Sequence, residues 1–341
     1  MEKSPNGGEE FKNQLFVKQL HEKGYNIDVI DTIYWRTSPF IVINLLVKIF
    51  FASYNKIILS ASSKSVYRLI RIIYFLNKKK LSKIIYFVIG GYFPDALIVG
   101  IYNYKYYRGL NKIVVEGEIL KKKVVSVGLI SNVIVIPNFK ETIKFQNLLN
   151  NVNIIKQNKF LYISTISAEK GVDLLFEAID LIQLNPELHF DYQIDFYGPV
   201  EETYKEKFEK KLRQYSEFVS YKGYLDIMKE PQNSYSVIST YEALIFPTLY
   251  KGEGFPGVII DSYIAGIPVI TTKWNMNEEI VENEFNGIIL TQNNALELSR
   301  ALISLSVDKN RREKMSTNNK EKAHLYDINY IFTKNIYPLL E

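Results

Sequence analysis

The pattern of this chain predicts an α/β protein built from two domains, each a parallel sheet with helices around it. Short β-branched runs alternate with longer helical patterns, and the alternation restarts halfway along the chain. At 341 residues the chain exceeds one ordinary core, and it suits two domains of roughly 100–200 residues each. In the second half a glycine-rich loop runs into a helical pattern, the kind of junction at which helices hold phosphates.

In the first half the expected strands are 27–30, 56–59, 84–88, 112–115 and 133–136, with helical patterns between them. The asparagine-rich stretch 146–158 is the expected linker. The second half repeats the scheme with strands at 160–163, 193–197, 219–221, 243–246 and 269–272. Domains are thus expected at 1–150 and 151–325, with 326–341 a carboxy-terminal helix crossing back to the first domain. A ligand is expected in the cleft where the carboxyl ends of the two sheets face each other.

Composition narrows the class. With 47% apolar and 23% charged residues the chain is ordinary globular material. The balance of 42 basic and 37 acidic residues leaves a formal charge of +5, and the runs Lys78-Lys79-Lys80 and Lys121-Lys122-Lys123 read as solvated helix ends or loops, with an anionic-membrane or nucleic-acid patch as the alternative. No nucleic-acid motif accompanies them. The absence of cysteine excludes disulfides, thiolate metal sites and cysteine nucleophiles, and fits a reducing cytoplasm. His21, His189 and His324 lack metal-ligand spacing, and no Asp-x-Asp pair is present. No signal peptide is read in the polar first residues, which hold Pro5, Gly7 and Gly8. The longest apolar run, 40–52, is interrupted by Asn44 and Lys48 and is shorter than the ~20 residues of a spanning helix. It reads as a buried or cleft-facing helix, with an interfacial helix as the alternative. The expected location is cytoplasmic, with peripheral contact at the membrane's inner face.

The most informative stretch is 250–261. Gly252, Gly254 and Pro256 keep Glu253 out of a helix, and a helix is expected to open near Pro256 or Gly257. Val258 to Ile264 continue it until Gly266, and Pro268 precedes the next strand. Asp261 then lies in the second turn. The unpaired N–H groups at such a helix start make a phosphate site, with one carboxylate before it and one after.

This segment closely resembles the E-x7-E motif of the retaining GT-B glycosyltransferases of family 4, written here as Glu253-x7-Asp261. Upstream, Ser167-Ala168-Glu169-Lys170-Gly171 resembles the family's phosphate-binding turn; downstream, Trp274 to Ile280 resembles the segment after its last nucleotide-binding strand. The resemblance is strong over 159–341. In the first half it is carried by Pro5-Asn6-Gly7-Gly8, by 86–91 and by Val135-Ile136-Pro137-Asn138-Phe139. It implies two Rossmann-like domains facing across a cleft, of bacterial polysaccharide-biosynthesis type. The first domain is expected to lack its first strand, since only Met1 to Ser4 precede the glycine loop, with a disordered polar tail carrying two glycines as the alternative.

The resemblance also implies roles. Glu253 corresponds to the glutamate near the donor sugar hydroxyls, and Asp261, one methylene shorter than usual, to the one on the ribose. Lys170 would stabilise the departing diphosphate with the N–H groups near Phe255–Val258, in a donor-binding stretch of Gly254, Phe255, Pro256, Gly257 and Val258, helped by Gly7 and Gly8. Pro256 itself brings no N–H. Gly198, Gly223 and Tyr224 correspond to loops approaching the nucleotide, with ordinary turn chemistry as the alternative. Gly90, Gly91 and Glu116 lie on the acceptor side, where Glu116 would orient a hydroxyl or cap the next helix. Thr165 stands where the family commonly has an arginine, so a guanidinium gives way to a hydroxyl opposite the diphosphate; Lys251 and Lys273 are the candidates to compensate.

The expected activity is therefore metal-independent transfer of a sugar from a nucleotide diphosphate to a glycan or lipid-linked glycan. It would serve capsule, exopolysaccharide or O-antigen synthesis. The nucleotide sugar is a substrate, and neither a cofactor nor a nucleic-acid partner is expected. The alternatives are a non-catalytic homologue that binds a nucleotide sugar or a partner, and a nucleotide-sugar epimerase.

Overall fold

The computed structural model describes residues 7–32, 38–149, 159–188 and 190–341. The chain divides into two compact units, Met1–Asn138 with Ile331–Glu341, and Phe139–Tyr330.

The first unit contains α1 (Gly7–Glu22), α2 (Pro39–Phe51), β1 (Ile57–Ser60), α3 (Ser63–Leu76), β2 (Ile84–Phe87), α4 (Tyr92–Ile98), β3 (Lys112–Val115), α5 (Glu118–Ser126) and β4 (Val133–Val135). The four strands pair in parallel in the order β1-β2-β3-β4. β2 is buried along its whole length, as a parallel strand covered on both faces must be. On α3, Val66, Ile70 and Ile73 recur at helical spacing and are all buried.

Three expectations for this unit change. Residues 27–30 form no strand. A strand needs a neighbour for its backbone groups, and none of the described strands pairs there. Gly7 and Gly8 are not a loop but the opening residues of α1; Pro5 and Asn6, and the question of a strand before them, lie outside the described residues. The run 40–52 does form a helix, α2, but among its residues only Ile49 is fully buried, which sets aside the buried reading and leaves the cleft-facing and interfacial ones open.

The second unit contains α6 (Thr142–Leu149), β5 (Lys159–Ile163), α7 (Val172–Leu184), β6 (Gln193–Tyr197), α8 (Lys205–Gln214), β7 (Val219–Tyr221), α9 (Pro231–Ser239) and β8 (Ala243–Phe246). It continues with α10 (Gly257–Ala265), β9 (Val269–Thr272), α11 (Asn277–Ile280), β10 (Gly287–Leu290), α12 (Ala295–Val307) and α13 (Lys309–Ala323). Its six strands are parallel in the order β10-β9-β8-β5-β6-β7. β8 and β9 are buried throughout, which is why they read in sequence as unbroken apolar or β-branched runs. The core beside them is aromatic, with Phe176 stacked on Phe196 at 5.8 Å and Phe208 edge-on to Phe196 at 5.4 Å.

β10 was not anticipated. Its run is short, and Gly287 is required there because a Cβ would lie 2.3 Å from the Val269 carbonyl oxygen. The division between units falls at Asn138 and not at 150, because 142–149 form α6, which packs on α9 and α10. Residues 150–158 of the expected linker lie outside the described residues. At the other end, Ile331–Glu341 groups with the first unit and includes a π turn at Phe332–Ile336.

Strand order in the second unit reverses between β5 and β8. In open α/β sheets that reversal leaves a crevice at the carboxyl ends of the two strands, and ligands bind there.

Candidate active site

Two loops leave that crevice, 164–171 after β5 and 247–256 after β8. They touch directly: Leu249 N donates to the Glu169 carbonyl at 2.9 Å. Gly171, at φ 78°, lies so close that a Cβ would sit 1.9 Å from the Pro247 carbonyl oxygen. From beneath, the Tyr162 hydroxyl donates to the Thr165 and Lys170 carbonyls at 3.1 and 3.3 Å. Burial pushes the Tyr162 phenol well above the ordinary tyrosine range, so it stays a donor.

This approach brings the two principal candidates together. Lys170 Nζ lies 2.5 Å from Glu253 Oε2, and Thr248 Oγ1 donates to the same oxygen at 3.0 Å. Thr248 is fixed in turn, since Thr272 Oγ1 donates to its carbonyl at 2.5 Å. The Lys170 ammonium also sits 4.6 Å from the centre of the Tyr250 ring, a favourable cation–π distance. Both members of the pair are only partly buried.

The Glu253 loop is gripped from its other side by the turn after β9. Trp274 Nε1 donates to the Tyr250 carbonyl at 2.9 Å. Asn275 Nδ2 lies 3.3, 3.4 and 3.2 Å from the carbonyls of Tyr250, Lys251 and Glu253. Asn275 does this from a left-handed backbone, φ 45°, a conformation asparagine tolerates better than most residues. The sequence reading picked out this segment but not the grip it exerts, nor Thr248.

Helix α10 opens at Gly257 and ends at Gly266, φ 65°. Pro256 is its cap, one position ahead of the first helical residue. The first N–H groups of the helix, those of Gly257 and Val258 among them, have no acceptor within it and form a positive end. Gly254 is partly exposed in the loop, whereas Phe255 is buried against Tyr326 with ring centres 5.5 Å apart and so serves packing.

Asp261 is packed into the second unit. It is 3% exposed and its Oδ1 is held by Lys140 Nζ at 2.5 Å and by the Tyr235 hydroxyl at 2.7 Å. Burial, with the Asp261 carboxylate beside it, pushes the Tyr235 phenol well above its ordinary range and keeps it a donor. The cause is packing: α10 buries the face carrying Asp261 against α6 and α9. Lys140 is anchored there by backbone pairing, its N donating to the Tyr326 carbonyl and its carbonyl accepting from Ile328 N, both at 2.9 Å. The Asp261 Oδ1 is thus held by two protein partners.

The remaining candidates scatter. Gly198, φ 132°, would clash with the Ser164 carbonyl oxygen at 1.9 Å if it carried a Cβ, and its N donates to the Gly223 carbonyl at 2.8 Å. Both glycines thereby shape the end of the sheet. Tyr224 is exposed, as is the Thr165 side chain in its turn. Lys251 is exposed, and Lys273 pairs with Glu278 at 3.2 Å.

In the first unit, Gly90 takes φ 69° and Gly91 caps α4. Glu116 is buried and bound by Lys12 Nζ at 2.6 Å. It does not cap α5, whose cap is Gly117. Lys12, together with Asn13, which accepts from Ser60 Oγ at 2.5 Å, ties α1 to the carboxyl ends of β3 and β1. His21 lies in α1, and His189 lies outside the described residues.

Residues 139–322, more than half of the chain, match the family model of glycosyl transferases group 1. The chain belongs to that family. The match starts at the residue where the second unit starts. An uncharacterized glycosyltransferase of Methanocaldococcus jannaschii is 26% identical over 161 residues, 47% of this chain and 42% of the relative. The chain thus matches less than half the length of that curated relative.

Among solved structures, sucrose-phosphate synthase of Thermosynechococcus elongatus superimposes with a TM-score of 0.74 at 15% identity, covering 98% of this chain and 94% of that one. Anabaena HepE in complex with UDP-glucose gives a TM-score of 0.67 at 15% identity over 99% of this chain and 97% of that one. At such identities the likeness is one of fold: this group 1 glycosyl transferase has the GT-B fold.

Proposed function

We propose that this chain is a retaining, metal-independent glycosyltransferase (EC 2.4) that moves a hexosyl group from a nucleoside diphosphate sugar to a hydroxyl of a glycan or lipid-linked glycan. The observation that carries the reading is the Lys170–Glu253 pair, 2.5 Å apart at the strand-order reversal beside the start of α10. In use, the diphosphate would take over Lys170 and the helix start, whose fixed positive charge stabilises the departing phosphate without a metal. Glu253, released from the lysine, would accept hydrogen bonds from the donor sugar hydroxyls. The bond from C1 to the phosphate oxygen breaks, the acceptor oxygen bonds C1 on the same face, and the acceptor proton passes to the leaving phosphate.

Support for the donor class comes from family membership and from HepE, whose structures hold UDP and UDP-glucose. Uridine diphosphate sugars are the first donors to test. We assign the chain to capsule, exopolysaccharide or O-antigen assembly on the cytoplasmic side of a membrane it touches peripherally, on the strength of the resemblance over 159–341. A second reading, a non-catalytic nucleotide-sugar binder, is favoured by Thr165, whose hydroxyl stands where an arginine is usual.

The test is incubation with a panel of nucleotide sugars, with and without acceptor and with and without chelator, scoring free nucleotide. Acceptor-dependent release that survives the chelator is expected. Tight donor binding with no release on any acceptor would favour the second reading. Activity lost to chelator and recovered with manganese would contradict a metal-free site.

A further inference from the structure

Helix α2 presents a hydrophobic ridge that the first unit does not cover. Of its thirteen residues only Ile49 is fully buried. Phe40, Ile43, Val47 and Phe51 recur at helical spacing, and all four are exposed, Phe40 at 78% and Phe51 at 84%. The end of α3 adds exposed Ile72, Phe75 and Leu76.

The stretch of chain that carries this ridge is predominantly basic. From Lys48 to Lys83 the chain carries nine lysines and arginines, and between Asp31 and Asp95 it has no acidic residue. Of the nine, Lys48 is neutralised by Asp28 at 2.6 Å. Lys80 and Lys83 donate to the carbonyls of Ala52 and Tyr54 at 3.2 and 2.6 Å, contacts that leave their charge in place. These bonds fasten the basic turn Lys78–Lys83 to the end of α2, so basic and apolar surface are continuous.

We propose that this surface docks on a bilayer containing anionic lipid, with α2 lying in the interface. An exposed apolar stripe gains from the acyl boundary, and lysines beside it gain from anionic headgroups. No helix among the described residues is long and apolar enough to span a membrane, so α2 lies on the surface. A second copy of the chain fits less well, because an isologous contact would bring two basic patches face to face. The proposal rests on the lipid-linked acceptor read above for its purpose, but not for its test.

The full chain is sedimented with vesicles of phosphatidylcholine alone and of phosphatidylcholine with phosphatidylglycerol, at low and high salt. Binding to the anionic vesicles only, weakened by salt, is expected. Phe40→Ser with Phe51→Ser, and separately Lys78→Gln with Lys79→Gln, should each weaken it about tenfold while the melting temperature holds. Equal binding to neutral vesicles, no vesicle binding, or a Phe51-dependent dimer in light scattering without vesicle binding would each overturn the proposal. Turnover of a soluble acceptor without vesicles is scored in parallel: its loss in the wild-type chain would count against the transferase reading alone.

Discussion

Two lysine–carboxylate pairs flank the start of α10, both at 2.5 Å, and they sit in different surroundings. Glu253 meets Lys170 in a pair of loops at the mouth of the crevice, and its carboxylate also accepts from Thr248. Asp261, eight residues on, meets Lys140 in the interior, shared with the buried Tyr235. A charged pair at a crevice can exchange its partner for a ligand at little structural cost. A buried pair cannot, since removing either charge strands the other away from water. On the proposed function, the E-x7-E spacing would supply one acid for chemistry and one for holding the helix that the chemistry uses.

The largest effect expected on that division is structural. Lys140→Ala should lower unfolding free energy by about 3–5 kcal/mol, because it leaves Asp261 buried and unpaired; denaturant titration measures it. At the other pair, Glu253→Gln should cut turnover by about a hundred- to a thousandfold, roughly 2.7–4 kcal/mol. Wild-type turnover in that variant would remove Glu253 from the mechanism.

Smaller changes sharpen the picture of the crevice. Thr165→Arg should tighten binding of the nucleoside diphosphate by about 1–3 kcal/mol, the worth of a charge-assisted bond, measured by calorimetry. An unchanged affinity would mean that position 165 does not face the diphosphate. Asn275→Gly keeps the left-handed backbone but removes the amide that grips the Glu253 loop. It should lower kcat about tenfold, about 1.4 kcal/mol, with KM and melting temperature little moved. A fall in melting temperature with kcat intact would make Asn275 merely structural.

The sequence revealed different things at these two places. The loop holding Glu253 was legible because Gly252, Gly254 and Pro256 are local signals, and α10 does open at Gly257. The fate of Asp261 was not legible. Spacing fixes how far along a helix a residue lies, not what packs on that side, and Lys140 is 121 residues upstream. The same limit explains Glu116, whose partner Lys12 is 104 residues away. Strands such as β6, β8 and β9 were readable as short apolar runs bounded by turn residues. Residues 27–30 have that pattern too, but a strand exists only where a neighbour pairs it. Lys170 was identified from its turn, whereas Asn275 carries its role in a left-handed φ that no run of letters displays.

The measurement that bears most directly on this division is a paired one, on Glu253→Gln and Asp261→Asn, recording melting temperature and nucleotide-sugar turnover per folded molecule. Each variant trades a carboxylate for an amide of the same shape. The account predicts a crossed result: Glu253→Gln keeps its melting temperature and loses turnover, while Asp261→Asn loses melting temperature and keeps turnover. An Asp261→Asn variant that melts like the wild type but no longer binds nucleotide sugar would put Asp261 at the ribose and contradict it.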